Sequence, residues 1–158
     1  MKFSTREDID APIEHVFRAV SNFDAFEKSA MRRGAEIQRE EHVFPDGIRT
    51  SWQAVFPYRG KMRPLKAKLV ELDSPTRLAV ESESGGLDGD LVIDLMALSR
   101  SRTRLKIQLE MRPRTMTARL VLQSLKLAKA SLTRKFKLRI ARFAMEVEDQ
   151  YKGPQLYR

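Results

Sequence analysis

Side chains that could carry chemistry are few in this sequence of 158 residues. It contains no cysteine, which excludes disulfide bonds, thiolate metal ligands and cysteine nucleophiles. The two histidines, His15 and His42, lack a second histidine at a spacing such as His-x-x-x-His, which metal ligands on one helix require. The sequence therefore predicts no metal site.

Motifs for phosphate binding and for serine nucleophiles are also missing. The glycine-rich segment from Gly85 to Gly89 lies between two predicted strands and precedes no helix, where a phosphate-binding loop would need one. We interpret it as a hairpin loop. No Gly-x-Ser-x-Gly nucleophile elbow occurs. We predict no cofactor.

Three polar residues remain as candidates for catalysis. Strand parity places Glu7, Tyr58 and Arg63 on the inward side, where an apolar pocket would perturb a carboxylate or orient a cation. The alternative is structural: a strand-edge ion pair for Glu7 and Arg63, and a rim aromatic for Tyr58. Because no acid–base pair is evident, the sequence favours a noncatalytic protein over a cyclase or dehydratase.

Apolar residues offer a different kind of site. Small-molecule pockets are lined mainly by hydrophobic and aromatic side chains, and several predicted inward faces have that composition. The same side chains could instead fill the core. The candidate ligand-binding residues are Trp52, Phe56, Tyr58, Leu65, Leu95, Ile107, Phe136, Ile140 and Phe143.

The elements that would position these residues follow from hydrophobic periodicity. A first strand covers Lys2–Ile9, and two short helices follow, one entered at Pro12 and one beginning near Asp24. Phe23, Phe26 and Met31 of the second helix are expected to point inward, and His15 of the first to face solvent. From residue 35 to 113 the apolar period is two, with turn signals that separate six antiparallel strands.

The segment from Thr115 to Tyr151 contains neither glycine nor proline and predicts one long helix. Such a helix would run about 50 Å, so we expect a bend or an overhang. The result is a single α+β domain over residues 1–152 with a frayed tail at 153–158. One helix face is apolar and is expected to pack on the sheet, through Val121, Leu125, Ala128, Leu132, Phe136, Ile140, Phe143, Val147 and Tyr151.

The net charge of +9 comes from the segment between Arg112 and Arg142, and the opposite helix face carries some of its cations. No acidic residue lies between Glu110 and Glu146, whereas the interval holds many cations. Apolar residues interleaved with cations indicate a surface for an anionic membrane or a homodimer contact, and a solvated face is the alternative. Nucleic acid is disfavoured because no aromatic side chain joins the cations to stack bases. The residues of this membrane or partner surface are Arg119, Leu120, Lys126, Leu127, Arg134, Lys137 and Leu138.

The N-terminal residues give an expectation about location. They include no apolar core of a signal peptide, and no apolar run reaches the length of a membrane span. We therefore expect a cytoplasmic protein.

A short motif at the first strand-to-helix junction gives a resemblance to a known family. The segments are IDAPIEHVF, from Ile9 to Phe17, and VSNFD, from Val20 to Asp24. With the order of elements along the chain, they resemble the START, pollen-allergen and polyketide-cyclase-like superfamily, often called SRPBCC. The resemblance implies a helix-grip fold, in which a curved sheet of seven antiparallel strands wraps a long C-terminal helix around a deep apolar pocket.

The resemblance does not imply a reaction. Members of that superfamily include lipid carriers, hormone and coenzyme Q binders, cyclases and chaperone regulators, so the fold alone assigns no function. The Ala11–Pro12 motif is structural and transfers no catalytic residue. What the sequence predicts is binding or transport of a hydrophobic or amphipathic, lipid-like small molecule between sheet and helix, with a polyketide cyclase-like enzyme and an interaction module as alternatives.

Overall fold

The computed structural model describes residues 1–156, with side chains through Lys152. The predicted tail at 153–158 lies outside the residues whose side chains are described. The described elements, in chain order, are β1 (Lys2–Ile9), α1 (Ile13–Val20), α2 (Phe23–Arg32), β2 (Glu36–Phe44), β3 (Gly47–Tyr58), β4 (Lys61–Asp73), β5 (Arg77–Ser84), β6 (Leu87–Ser99), β7 (Arg102–Pro113), α3 (Met116–Leu127) and α4 (Lys129–Leu156).

The seven strands form one antiparallel sheet in the order β1-β7-β6-β5-β4-β3-β2. Strands β2 to β7 follow one another as hairpins, with tight turns between them, and β1 pairs with β7 at one edge. Register shifts between Leu69 and Glu71 and between Ala97 and Ser99 interrupt two ladders, and such bulges bend strands. The predicted α+β helix-grip fold is confirmed.

The first two helices differ in how much they bury. In α1, Val16, Phe17 and Val20 lie in the core, as their spacing predicts. α2 has no fully buried residue. Of the side chains predicted to point inward, Phe23 packs against the Trp52 ring and Phe26 lies 5.9 Å from Phe143 of α4, but Phe26 and Met31 remain 44% and 47% exposed. The reason is that α2 packs mainly against the edge strand β2, which covers little of the helix.

The C-terminal helical segment is divided in two. The Thr115 side chain caps α3 by accepting a hydrogen bond from the Ala118 N–H at 3.1 Å. At Ala128 the backbone leaves helical geometry (φ −105°, ψ 14°) and α4 begins at the next residue. The single helix predicted for this segment is therefore corrected, and the expected bend takes the form of a break.

The break changes which residues of α3 are buried. Ala118 and Leu122 pack into the protein, whereas Ala128, predicted to point inward, is exposed. α3 lies against β7, while α4 lies against β1 and α1. Two shorter helices can each follow a different part of the sheet, which one straight helix could not.

His15 joins α1 to α4. Its Nε2 donates to the Val147 carbonyl at 3.1 Å, and its ring lies 5.1 Å from that of Tyr151, centroid to centroid. The expectation that His15 faces solvent is therefore wrong, because α4 covers this side of α1. Among the described residues, no helix combines the length and the hydropathy needed to cross a bilayer.

Candidate functional site

One end of the inner sheet face, the face toward the helices, is fully covered. Leu78, Ile93 and Ile107 form one cross-strand row there, and Leu95 and Leu105 form part of the next. Each exposes 8% of its surface or less. The helices complete this closed end with buried apolar side chains, namely Val16, Phe17, Val20, Ala144 and Val147.

The other end of the same face is apolar but incompletely covered. On β3 and β4, Trp52 pairs with Ala67 and Ala54 with Leu65. All four are only half-buried, although both strands have a neighbour on each side. By strand parity their side chains point to the helix side of the sheet, although Trp52 and Ala67 also contribute to the lining of a groove on the outer face. We call this surface the open end, and its residues are Trp52, Ala54, Phe56, Leu65, Ala67 and Leu69.

Aromatic side chains from α2 and α4 border the open end. The Trp52 indole nitrogen donates to Glu27 Oε2 at 2.9 Å, and the Trp52 ring meets Phe23 edge-on at 5.2 Å. From α4, Phe143 lies 5.9 Å from Phe26. The other predicted helix aromatic, Phe136, pairs with the ring of Phe3 on β1 at 5.9 Å. Trp52 and Phe136 thus pair with different rings.

The β3–β4 hairpin brings polar groups to the margin of the open end. At its tip, the Arg59 guanidinium donates to Ser124 Oγ of α3 at 3.2 Å. Behind the tip, Arg63 Nε donates to the Tyr58 carbonyl at 3.3 Å, and the guanidinium carbon lies 5.9 Å from the Tyr58 ring centroid. Arg63 and Tyr58 are therefore neighbours, as their positions on paired strands require.

Arg63 differs from the other half-buried arginines in its partners. Arg39, Arg77 and Arg104 each donate to a carboxylate at 2.6 to 2.9 Å. The hydrogen bond to Asp24 raises the pKa of Arg39, and the other two arginines are affected in the same direction. Among the side chains that the structure describes, no carboxylate lies within ion-pair distance of Arg63. Its charge remains available to a bound anion.

Glu7, the third candidate for catalysis, is not part of this cluster. It lies on β1 opposite Leu105, at the closed end of the sheet. β7, β6 and β5 separate β1 from β4, which carries Arg63. Four strand spacings of about 4.8 Å each lie between the two residues, so the structure does not bring them together.

The predicted ligand-binding residues fall into two groups. Leu95 and Ile107 are part of the buried closed end. The others are half-buried: Trp52, Phe56, Tyr58, Leu65, Phe136, Ile140 and Phe143. The sequence reasoning missed Phe23 and Glu27 of α2 as contacts of Trp52. Their spacing of four residues places them on one helix face, but nothing local indicates which strand that face meets.

A groove of about 500 Å³ lies on the opposite, outer face of the sheet. Its charged side chains largely pair with one another, as in Arg112 with Asp90 at 2.6 Å and Arg114 with Asp88 at 2.8 Å. This composition does not suit an apolar ligand. Within residues 1–152, no group of three or more histidine, aspartate or glutamate side chains is placed to hold a metal ion.

The helix surface predicted to meet a membrane or a partner is exposed on α3 and α4. Leu120, Leu127 and Leu138 expose 59%, 92% and 66% of their surface. The accompanying cations are exposed as well. We call this surface the basic outer face, and its residues are Arg119, Leu120, Lys126, Leu127, Arg134, Lys137 and Leu138.

Comparisons with other proteins show the fold of the chain. No family model matches it, and no curated protein matches its sequence. Among solved structures, it is similar to the ZhuI aromatase/cyclase from Streptomyces sp. R1128, with 11% identity, a TM-score of 0.67, and 95% of this chain and 94% of that chain covered.

Two further structures extend the comparison. The protein TTHA0849 from Thermus thermophilus has 18% identity and a TM-score of 0.64, with 93% of this chain and 97% of that chain covered. A START superfamily protein from Mycobacterium smegmatis has 14% identity and a TM-score of 0.54, with 87% and 97% covered. At these identities the likeness concerns architecture, and the chain has the helix-grip fold that the resemblance implied.

Proposed function

We propose that the protein binds or carries an amphipathic, lipid-like small molecule without chemically changing it. The apolar part of the ligand would lie against the open end, between β3, β4 and the aromatic side chains of α2 and α4. The observation that carries the proposal is the half-buried state of Trp52, Ala54, Leu65 and Ala67 on interior strands. Apolar surface that the helices leave partly uncovered, with polar groups at its margin, has the composition of a small-molecule site.

A polar group of the ligand would lie at the margin of the open end, beside Arg63 and Tyr58. Arg63 is half-buried and its described contacts are a main-chain carbonyl and the Tyr58 ring. A guanidinium in that setting favours a carboxylate or phosphate, because it can donate two parallel hydrogen bonds to either. The ligand would then have an apolar body and an anionic end. We place this activity in the cytoplasm as a prediction.

A second candidate is an enzyme of the polyketide cyclase or dehydratase kind. The proximity of the Arg63 guanidinium to the Tyr58 ring favours it, since a cation and a phenol near one another could polarise a carbonyl. General acid–base catalysis also needs a proton acceptor within hydrogen-bond reach. Glu7 is too far along the sheet to serve with Arg63. The binder is therefore the better supported function.

A pair of adjacent substitutions tests the binding proposal. Ala54 and Gln53 follow one another on β3, so their side chains point to opposite faces of the sheet. Ala54→Phe would fill part of the open end, whereas Gln53→Phe adds the same group to the outer face. We would titrate a dansyl-labelled fatty acid into each protein and follow its emission.

The expected result is saturable binding to the unaltered protein and to Gln53→Phe, and binding at least about tenfold weaker to Ala54→Phe, because the added ring occupies the space of the ligand. Thermal unfolding would show that both variants are folded. Absence of saturable binding to the unaltered protein, together with no copurifying small molecule in organic extracts, would overturn the proposal.

A further inference from the structure

The break between α3 and α4 creates an exposed corner with an unusual composition. Five consecutive residues, Lys126 to Ala130, are exposed. Leu127 lies between Lys126 and Lys129 and exposes 92% of its surface, more than any other large apolar side chain in the described part of the chain. A leucine held this far into solvent makes no contribution to the core.

Leu127 continues an apolar stripe along α3. Met116, Leu120 and Leu127 are spaced by four and then seven residues, so they share one side of the helix. They expose 68%, 59% and 92% of their surface, while Ala118 and Leu122 on the other side are buried. α3 therefore has apolar side chains on two opposite sides, and only the side with Ala118 and Leu122 packs against the rest of the protein.

α4 repeats the arrangement on its outer side. Leu138 and Met145 are seven residues apart and expose 66% and 64% of their surface. Arg134 precedes Leu138 by four residues, and Arg142 follows it by four, so both lie next to it on the helix surface. The second helix thus also presents aliphatic side chains bordered by arginines.

The charge around these stripes has a single sign. No acidic residue occurs between Glu110 and Glu146. Within the described side chains, none of the cations on α3 and α4 up to Arg142 has an ion-pair partner, whereas arginines on the sheet pair repeatedly with carboxylates. The unpaired, exposed cations are Arg119, Lys126, Lys129, Arg134, Lys135, Lys137, Arg139 and Arg142.

We propose that the basic outer face docks on the surface of an anionic lipid bilayer, with Leu127 at the corner and Leu120 beside it entering the headgroup–acyl boundary. Helices that lie in the interface have this combination of aliphatic and cationic side chains. Cations near an anionic surface add attraction that salt weakens within a Debye length. Docking of this kind does not require a ligand at the open end.

Charge and composition argue against other occupants. A second copy related by a twofold axis would set the same unpaired cations against one another, since such an interface uses the same patch twice. Single-stranded nucleic acid would need aromatic platforms for its bases, and the exposed apolar residues here are leucine and methionine.

Vesicle sedimentation with the full chain tests the proposal. We would compare vesicles of phosphatidylcholine with vesicles that also contain phosphatidylglycerol, at low and at high salt. One variant replaces three cations of the face, Arg119→Glu, Lys126→Glu and Arg134→Glu. A matched control makes the same charge change elsewhere, at the exposed residues Arg18, Lys66 and Lys106. A third variant, Leu120→Ser with Leu127→Ser, keeps the charge.

We expect binding to phosphatidylglycerol vesicles that weakens at high salt, and little binding to phosphatidylcholine alone. The variant with three cations of the basic outer face replaced should bind at least about a hundredfold more weakly, because each cation near an anionic membrane raises the affinity about fivefold. The control should retain most of the affinity, and the serine variant should lose about tenfold or more. Circular dichroism would confirm that each variant is folded.

Three outcomes would overturn the proposal. The unaltered protein could fail to sediment with phosphatidylglycerol vesicles at low salt. The two charge-reversed proteins could lose affinity equally, which would show an effect of net charge without a defined face. Light scattering could show a dimer that the serine variant dissociates, which would assign the face to a second copy.

Discussion

The indole nitrogen of Trp52 donates a hydrogen bond to Glu27 Oε2 at 2.9 Å, and this bond ties the inner face of β3 to α2. Trp52 is the single tryptophan of the chain. Since Phe23 also lies against its ring, the indole senses both the contact between helix and sheet and the open end. Its fluorescence therefore reports on this part of the protein without a label.

Removing the acceptor should loosen this contact. Glu27→Ala leaves the half-buried indole N–H without its partner and also removes the carboxylate 3.4 Å from Arg39. We expect the free energy of unfolding to fall by about 1 kcal/mol and Trp52 emission to shift to longer wavelength as water reaches the ring. Urea unfolding followed by fluorescence measures both. Glu36→Ala is the control, since the structure gives that exposed carboxylate no hydrogen bond within residues 1–152, and an equal loss there would contradict the prediction.

The turn between β5 and β6 offers a comparison of two neighbouring glycines. Both have positive φ, +57° at Gly85 and +83° at Gly86. A Cβ at Gly85 would meet open space, whereas at Gly86 it would lie 2.5 Å from Oγ1 of Thr115, the residue that caps α3. An alanine at either position therefore incurs backbone strain, and at Gly86 it also displaces the cap.

We expect Gly85→Ala to lower the free energy of unfolding by about 1 kcal/mol, the cost of left-handed backbone at a residue with a Cβ. Gly86→Ala should lower the free energy of unfolding by about 1 kcal/mol more than Gly85→Ala does, because the capping hydrogen bond of Thr115 is disturbed as well. Urea denaturation of the two variants measures the difference. If the two variants lose equal free energy of unfolding, the turn accommodates the added methyl group without disturbing the cap of α3, and the prediction is wrong.

Local sequence signals predicted the fold because each one concerns neighbouring residues. Alternation such as that of Leu105, Ile107 and Leu109 identifies a strand and its inward face, and the turn signals divide the sheet into hairpins. In a meander of hairpins, chain order then gives most of the strand order. The pairing of β1 with β7 joins residues about a hundred positions apart, and no local signal predicted it.

The candidate site was less predictable because it depends on distances across the sheet. Parity assigns Glu7 and Arg63 to the same face but carries no information about how many strands lie between them. The break at Ala128 has no glycine or proline to mark it, since it follows from how α3 and α4 pack on different strands. The exposure of Phe26 likewise depends on α2 lying at the edge of the sheet.

The ion pair between Asp8 and Arg104 predicts a dependence of stability on pH. Arg104 Nε donates to Asp8 Oδ1 at 2.9 Å, and this hydrogen bond lowers the pKa of Asp8 below its usual value of 3.8. A carboxyl whose pKa is lower in the folded state stabilises the fold above the unfolded-state pKa. That contribution is lost as the pH falls through the folded-state value.

Asp8→Asn should therefore destabilise the protein at neutral pH, and the difference from the unaltered protein should shrink once the pH falls below 3.8. Urea midpoints measured from neutral to acidic pH give the comparison. Asp149→Asn, at an exposed position of α4, serves as the control. A difference for Asp8→Asn that stays constant down to the most acidic condition would contradict this role of the ion pair.

Arg63 gives the sharpest test of the ligand chemistry, and the test depends on the proposed binding function. Arg63→Met keeps a long apolar side chain but removes the guanidinium, so an anionic ligand would lose its charged hydrogen bonds. We expect affinity for a dansyl-labelled fatty acid to fall about tenfold, or about 1.4 kcal/mol, while affinity for the methyl ester of the same acid changes little.

Lys66→Met is the matched control. It removes one positive charge from the same strand, three residues from Arg63, but the Lys66 side chain points to the outer face of the sheet. It should leave the affinity for the acid unchanged. Titration of the acid and the ester into both variants separates the contribution of the ligand's carboxylate from that of its acyl chain. If Arg63→Met weakens acid and ester equally, the guanidinium shapes the open end instead of recognising an anion, and the ligand is defined by its apolar body alone.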